Sequence, residues 1–321
     1  MHEIDIQNAV AILRRGGLVA MPTETVYGLG ADAANPEAVA RIFAAKGRPP
    51  NHPLIVHIGS AEQLPRWATD IPPAAYLLAQ HCWPGPLTLI LKRHPQVSAV
   101  VTGGQDSIGL RVPGHPMALA LLAAFGGGIA APSANRFGRI SPTSAAHVQE
   151  ELGAAVDCVL DGGPCQVGIE STILDLSQGQ PRLLRPGAIS ASTLEALLGT
   201  ALVAPTTDSP RVPGALAAHY QPHTPCRLIA PTDLSTTLAA HLQRGERVAV
   251  MARGAGQSDA QCIWQQMPSD AAAYAHDLYA ALRSLDALQT DCILIEACPA
   301  EATWTALTDR LQRAAGSLSS T

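Results

Sequence analysis

A short polar segment that follows an apolar one combines side chains able to bind a small ligand. Leu18–Met21 is apolar, and the next residues, Pro22–Gly30, include two threonines, a glutamate, a tyrosine and two glycines. A buried strand that opens into hydroxyl groups and glycines often builds a ligand site. The pattern therefore predicts a ligand-binding turn, and a nucleotide is the first ligand we consider.

Two cations come next along the chain, after a predicted helix over Pro36–Ala45 with Asn35 as its N-cap. Lys46 offers a point charge and Arg48 a planar fork, and the two can converge on a polyphosphate. Cations at the end of a helix are also favoured by its dipole alone. The local sequence leaves both interpretations open.

Further polar residues lie where predicted strands end. Ser133 and Asn135 follow the strand predicted over 129–131, and Thr143 precedes a helical stretch. Such groups can bind phosphate or ribose, although turn and capping chemistry also explains them. Ser171 opens one predicted strand and Arg185 ends another, where its side chain can reach a cleft or the surface.

Arg111 stands inside a predicted strand, Ile108–Val112, with apolar residues on both sides. An unpaired charge in such a place would be costly. We therefore expect a carboxylate partner for Arg111, either from the protein or from a ligand.

Several mechanisms can be set aside because their motifs do not occur in a convincing context. These are the motifs GxSxG, HExxH, GxxxxGK[ST] and GxGxxG. His219, His223 and Cys226 have a suggestive spacing, but prolines interrupt it and no second cluster completes four ligands, so we predict no metal site. The remaining polar groups suit catalysis by positioning and charge stabilisation.

The elements that must position these residues alternate between helix and strand, which predicts an α/β fold with a twisted mixed sheet. The chain has 321 residues, which favours two domains, and a Pro/Thr/Ser-rich stretch begins near residue 204. We predict a catalytic domain over 1–203, a linker over 204–225 and a small α/β domain of the parallel-sheet type over 226–321.

Composition limits the class of protein. A net charge of −5 gives no general attraction to nucleic acid or membranes. The seven cysteines form no CxxC pair, which suits reduced thiols in the cytoplasm. We find neither a signal peptide nor an apolar run of the ~20 residues that a bilayer requires.

The motifs together resemble those of the YrdC/Sua5 family, in the same order and over roughly the first two hundred residues. They are Pro22–Leu29, Lys46–Pro49, Pro53–His57, Trp83–Thr88, Ala131–Asn135, Gly168–Thr172 and Leu184–Gly187. The segments Pro213-Gly214 and His219–Pro222, with a second α/β domain, resemble the long two-domain Sua5 form.

This resemblance implies an L-threonylcarbamoyladenylate synthase, a nucleotidyltransferase that uses L-threonine, bicarbonate and ATP. The products would be threonylcarbamoyl-AMP and pyrophosphate, and the former would feed the transferase machinery that makes t6A37 in tRNA. The implied fold is a YrdC-like open twisted sheet around a positive cavity, followed by a Rossmann-like domain. Mg²⁺ would accompany ATP, and weak tRNA binding is expected.

The resemblance also assigns residues. Those expected to hold threonine are Thr25, His57, Arg111 and Ser171. Those expected around ATP are Lys46, Arg48, Thr102, Ser133, Asn135, Thr143, Arg185 and Tyr220, the last from the linker. Lys46 and Arg48 would be catalytic, because they can offset charge on the leaving pyrophosphate.

Two other functions fit parts of the sequence. A maturation factor that forms carbamoyl-AMP uses a similar domain, but such chains are longer and carry CxxC zinc modules, which are absent here. An RNA-binding module would also use a basic cavity. The net charge and the lack of an aromatic and basic stripe argue against it.

Overall fold

The computed structural model describes residues 2–214 and 219–316, and for His2 the backbone only. Part of the predicted linker, 215–218, therefore lies outside the described residues. The chain divides into two compact units. One comprises Met1–Phe137 and Ser141–Ala215, and the other comprises Gly138–Ile140 and Leu216–Thr321.

The first unit is built on a ten-stranded sheet. Its strands are β1 Val19–Met21, β2 Gly28–Asp32, β3 Ile55–His57, β4 Ala68–Thr69, β5 Leu87–Arg93, β6 Ser107–Arg111, β7 Ile129–Ala130, β8 Cys158–Val159, β9 Thr172–Asp175 and β10 Arg182–Arg185. Its helices are α1 His2–Arg14, α2 Pro36–Lys46, α3 Leu64–Trp67, α4 Pro73–Cys82, α5 Pro116–Phe125, α6 Ala145–Leu152 and α7 Ala191–Leu198, with 3₁₀ turns at Ala61–Gln63 and Gly153–Ala155.

The strand order is β10-β9-β5-β6-β3-β7-β2-β1-β8, and β4 pairs with β5 at the side. The sheet combines parallel pairs, such as β3 with β6 and β5 with β9, with antiparallel ones, such as β5 with β6. The mixed sheet predicted from the sequence is confirmed.

Apolar side chains on the two faces of the sheet build two clusters, because successive strand residues point to opposite sides. Val19 and Met21 pack with α1 and α5 on one face. Ala20, between them in the chain, packs on the other face with residues of α2 and α4. Helices on both faces thus hold the strand ends in fixed positions.

Strand β2 was not predicted, because its sequence, Gly28–Asp32, begins with glycines typical of a turn. It pairs antiparallel with β1, Gly30 opposite Val19. A Cβ on Gly30 would lie 2.8 Å from Cγ2 of Ile129 and 3.0 Å from the Val19 carbonyl oxygen. Gly30 therefore allows close packing at a position where a side chain would clash. The ligand-binding turn is shorter than the sequence suggested.

Helix α2 shows why Lys46 is placed where it is. Asn35 caps its first turn by accepting hydrogen bonds from the amides of Glu37 and Ala38. Gly47 ends it in a left-handed conformation, with φ of 63°. Lys46 therefore occupies the last helical position, facing inward, with only 3% of its surface exposed.

The second unit contains a four-stranded parallel sheet in the order β11-β14-β12-β13, which confirms the predicted parallel type. Its elements are β11 Cys226–Ile229, α8 Leu234–Gln243, β12 Val248–Ala252, β13 Cys262–Gln266, α9 Ala271–Asp286, β14 Cys292–Glu296, a 3₁₀ turn Ala302–Trp304 and α10 Thr305–Ala315. In the described part of the chain, no helix is long and apolar enough to cross a membrane.

Candidate active site

The turn between β1 and β2 is fixed by its own hydroxyl groups. The Thr23 hydroxyl donates to the Val26 carbonyl at 2.6 Å and accepts from the amides of Thr25 and Val26, each at 3.2 Å. It also lies 2.8 Å from the Thr25 hydroxyl. The predicted ligand-binding turn is therefore a rigid loop that presents Thr25 in a defined direction.

Arg111, at the end of β6, has the carboxylate partner that its apolar neighbours required, and the protein supplies it. Its Nη2 donates to Oε1 of Glu24 at 2.6 Å, and both side chains are buried. Its Nη1 donates to the Thr25 hydroxyl at 2.9 Å and its Nε to the Gly85 carbonyl at 3.1 Å. Sequence reasoning assigned no role to Glu24, although it directly precedes Thr25.

His57 ends β3 and lies beside Arg111, its partner across the parallel strands. Burial and then the charge of Arg111 lower the pKa of His57 to about 3, so its ring is neutral at physiological pH. Among the described residues, its Nδ1 makes no hydrogen bond. His57 therefore offers a buried, unpaired ring nitrogen next to Arg111.

Ser171 and Arg185 lie together where β9 begins and β10 ends. Arg185 donates to the Ser171 carbonyl through Nε at 3.1 Å and through Nη2 at 2.8 Å. The Ser171 hydroxyl is 2.8 Å from that of Thr88 in β5. Nη1 of Arg185 donates to the Pro213 carbonyl at 2.9 Å, so this arginine also holds a residue inside the predicted linker.

Lys46 joins the end of α2 to the loop after β7. Its ammonium group donates to the carbonyl oxygens of Ser133 and Asn135, each at 2.5 Å. Burial and then the charge of Arg48 lower the pKa of Lys46 well below its usual value. The structure thus brings together three residues, from two separate motifs, that were assigned to ATP.

Three other residues of the first unit were expected around ATP, and each has different hydrogen-bond partners within the protein. Arg48 donates to the Pro53 carbonyl at 2.8 Å and is buried. The Thr102 hydroxyl donates within its own loop, to the Gln105 carbonyl at 2.8 Å. Thr143 precedes α6, and its amide donates to the ring of His147 at 3.3 Å.

Backbone hydrogen bonds of the β1–β2 turn connect these groups. The Tyr27 carbonyl accepts from the Ala134 amide at 2.8 Å, which joins the turn to the loop carrying Ser133 and Asn135. The Tyr27 amide donates to the Pro142 carbonyl at 2.9 Å, next to Thr143. The turn therefore lies between Arg111 with its hydrogen-bond partners and the loop that Lys46 contacts.

Tyr220 lies in the second unit, where its ring contacts that of Tyr279 with centroids 5.6 Å apart. The guanidinium of Arg310 lies 5.5 Å from the same ring. Tyr220 is buried, and its assignment to ATP stays a prediction.

The site combines buried cations with hydroxyl groups and carbonyl oxygens. The buried thiol of Cys165 is a poor nucleophile, because burial and then Glu24 raise its pKa to about 12. The arrangement suits binding of anionic groups, with charge stabilised by fixed groups.

Comparison with known proteins gives consistent matches over both parts of the chain. Residues 11–187 match the Sua5/YciO/YrdC family model, described as telomere recombination. Residues 189–316 match a model described as the C-terminal domain of threonylcarbamoyl-AMP synthase.

Individual relatives match nearly the full length. The threonylcarbamoyl-AMP synthase of Pyrococcus abyssi is 40% identical over 98% of this chain and 95% of its own. The enzyme of that name from Bacillus subtilis is also 40% identical, over 98% and 94%. A crystal structure of Pyrococcus abyssi Sua5 complexed with L-threonine superposes with a TM-score of 0.90 and 39% identity, covering 97% of this chain and 94% of that one.

Proposed function

The chain belongs to the Sua5/YciO/YrdC family, and from this premise we propose that it is an L-threonylcarbamoyladenylate synthase. It would convert L-threonine, bicarbonate and ATP into threonylcarbamoyl-AMP and pyrophosphate. One observation carries the proposal. A single turn connects the buried residues around Arg111 with the loop bound by Lys46.

In the amino-acid part of the site, Arg111 would meet the threonine carboxylate, and Thr25 and Ser171 would offer hydroxyl groups. His57 is neutral at physiological pH, so its ring has one N–H donor and one acceptor nitrogen, and the unpaired Nδ1 can meet the substrate in either role according to the tautomer. These residues would hold threonine so that its amine faces bicarbonate and the nucleotide.

The chemistry takes place in two steps. The threonine amine and bicarbonate form a carbamate with loss of water. A carbamate oxygen then attacks the α-phosphorus of ATP, and pyrophosphate leaves. Lys46 and Arg48 would offset the growing charge on pyrophosphate, with Ser133, Asn135, Thr143, Arg185 and Thr102 around the nucleotide and Tyr220 contributed by the linker.

Mg²⁺ would come with ATP, because this ion binds mainly through phosphate oxygens and water. The residues that the structure describes include no cluster of three His, Cys, Asp or Glu that could hold a metal. When bound, it would neutralise phosphate charge.

We also propose that residues 1–203 carry catalysis and that linker 204–225 reaches towards the nucleotide. The product would pass, in the cytoplasm, to the transferase machinery that makes t6A37 in tRNA, and tRNA itself would bind weakly.

The direct test is an incubation of the purified protein with ATP, Mg²⁺, bicarbonate and threonine, followed by mass spectrometry. We expect the mass of threonylcarbamoyl-AMP, with none when threonine or bicarbonate is omitted. Replacing threonine with serine tests whether the site requires the methyl group of threonine. ATP turnover that does not depend on threonine would contradict the proposal.

A further inference from the structure

Glu24 uses both of its carboxylate oxygens inside the protein. Oε1 accepts from Nη2 of Arg111 at 2.6 Å, and Oε2 accepts from the amide of Gly114 at 2.8 Å. The residue is 6% exposed. One carboxylate therefore fixes the end of β6 and the segment after it to the β1–β2 turn.

Gly114 leaves the space that this carboxylate occupies. A Cβ at this position would lie 3.3 Å from Cδ of Glu24 and 3.4 Å from its Oε1. That distance is short enough that the carboxylate would have to shift. The hydrogen bond from Gly114 and its missing side chain are thus two separate features that fit Glu24.

The guanidinium of Arg111 is held from three directions, by Glu24, Thr25 and Gly85. These contacts use three of the five N–H donors of an arginine. One donor on Nη1 and one on Nη2 remain without a partner among the described residues. They are available to a ligand in a fixed orientation.

We propose that Glu24 is a positioning residue for the amino-acid substrate, orienting Arg111 so that its remaining donors meet the substrate carboxylate. This inference rests on the proposed function and deepens it. Glu24 also balances the charge of Arg111, so the pair is neutral as a unit. A neutral pair favours a zwitterionic amino acid over a simple carboxylate anion, because the anion brings charge that nothing in the pair balances.

The experiment measures binding of L-threonine, of ATP and of 2,3-dihydroxybutanoate, an anion without the ammonium group, by calorimetry. The proteins are the wild type, Glu24→Gln and Gly114→Ala. In Glu24→Gln an amide N–H₂ faces donors of Arg111 or Gly114, so we expect threonine to bind about tenfold more weakly or worse. ATP affinity should change by less than about threefold, and the preference for threonine over the anion should fall.

Gly114→Ala keeps every charge and displaces only the carboxylate, so it should weaken threonine binding while leaving the unfolding midpoint close to that of the wild type. It keeps the inference testable if Glu24→Gln does not fold. Glu37→Gln, on the exposed side of α2, is the matched control and should bind all three ligands as the wild type does.

If Glu24→Gln weakened the binding of all three ligands equally, Glu24 would have a merely structural role and the inference would be overturned. Unchanged threonine affinity in a folded Glu24→Gln, or in Gly114→Ala, would also overturn it, while a wild type that makes product leaves the proposed function intact. A wild type that neither binds threonine nor forms product would overturn both.

Discussion

At the scale of single residues, the site is marked by ionisable groups whose protonation is set by burial. Lys46 and His57 are both almost inaccessible to water, and both have a lowered pKa. Each is made less basic by an arginine nearby, Arg48 for the lysine and Arg111 for the histidine. Ionisable groups whose pKa values are shifted in this way cluster at functional sites.

Lys46→Ala should reduce synthesis of threonylcarbamoyl-AMP by about 100-fold or more, because it removes a charge near the leaving pyrophosphate. It should also cost about 1–3 kcal/mol of stability, since two carbonyl oxygens lose their donor. Lys92→Ala removes an exposed lysine and serves as the control. A near-normal rate of product formation in folded Lys46→Ala would refute the catalytic role.

His57 should make the protein sensitive to acid. Its pKa is lower in the folded protein, about 3, than the ordinary value of 6.5, so the unfolded chain binds more protons between these values. The stability contributed by neutral His57 is therefore present above pH 6.5 and lost as pH falls towards 3, by at most about 1.4 kcal/mol per unit.

Denaturant titrations at several pH values between 7 and 4 would measure this loss. His57→Gln should flatten the decline, whereas His81→Gln, at an exposed position on α4, should not. An equally steep decline in the His57 variant would contradict the prediction.

At the scale of elements, the strand ends and the turn between β1 and β2 decide where the side chains meet. His57 and Arg111 become neighbours because β3 and β6 pair in parallel with these residues in register. The turn then adds Thr25 and Glu24 from the other direction.

Gly30→Ala tests the packing that places this turn. The new methyl group would lie 2.8 Å from Ile129 and 3.0 Å from the Val19 carbonyl, so we expect a loss of about 1–3 kcal/mol in thermal or chemical unfolding. Gly59→Ala meets nothing closer than 3.6 Å and should be nearly neutral. Equal stability of the two variants would disprove the packing role of Gly30.

The sequence predicted most of these elements, because apolar periodicity and caps such as Asn35 are local signals. It missed β2, whose glycines look like a turn until Ile129 is known to lie beside them. It also left the partner of Arg111 open. Glu24 and Arg111 are 87 residues apart, and only the folded sheet brings them together.

At the scale of the whole molecule, the chain consists of two units, each with its own sheet. The second unit includes the short segment Gly138–Ile140, which lies in sequence within the proposed catalytic domain. Within this unit, Arg139 pairs with Asp286 at 3.0 Å. The same carboxylate accepts from the amides of His223 and Thr224 at 2.9 and 2.8 Å.

Asp286→Ala should therefore loosen the second unit where the linker enters it. We expect the amides of His223 and Thr224 to lose protection from hydrogen exchange, because their buried acceptor is gone. Asp277→Ala, on the same helix but half exposed, is the matched control. Unchanged exchange at both amides would show that other groups hold this segment.

The buried ammonium of Lys46 has a consequence for the bulk solvent. Its pKa is lowered in the free protein, and an arriving polyphosphate would raise it, so at pH values between the free and the bound pKa nucleotide binding should draw a proton from the buffer. Affinity for ATP should then weaken as pH rises above the pKa of the free protein. Calorimetry in buffers with different heats of ionisation would count the protons. Between those two pKa values, each catalytic cycle would take up a proton with ATP and return it to the solvent when pyrophosphate departs.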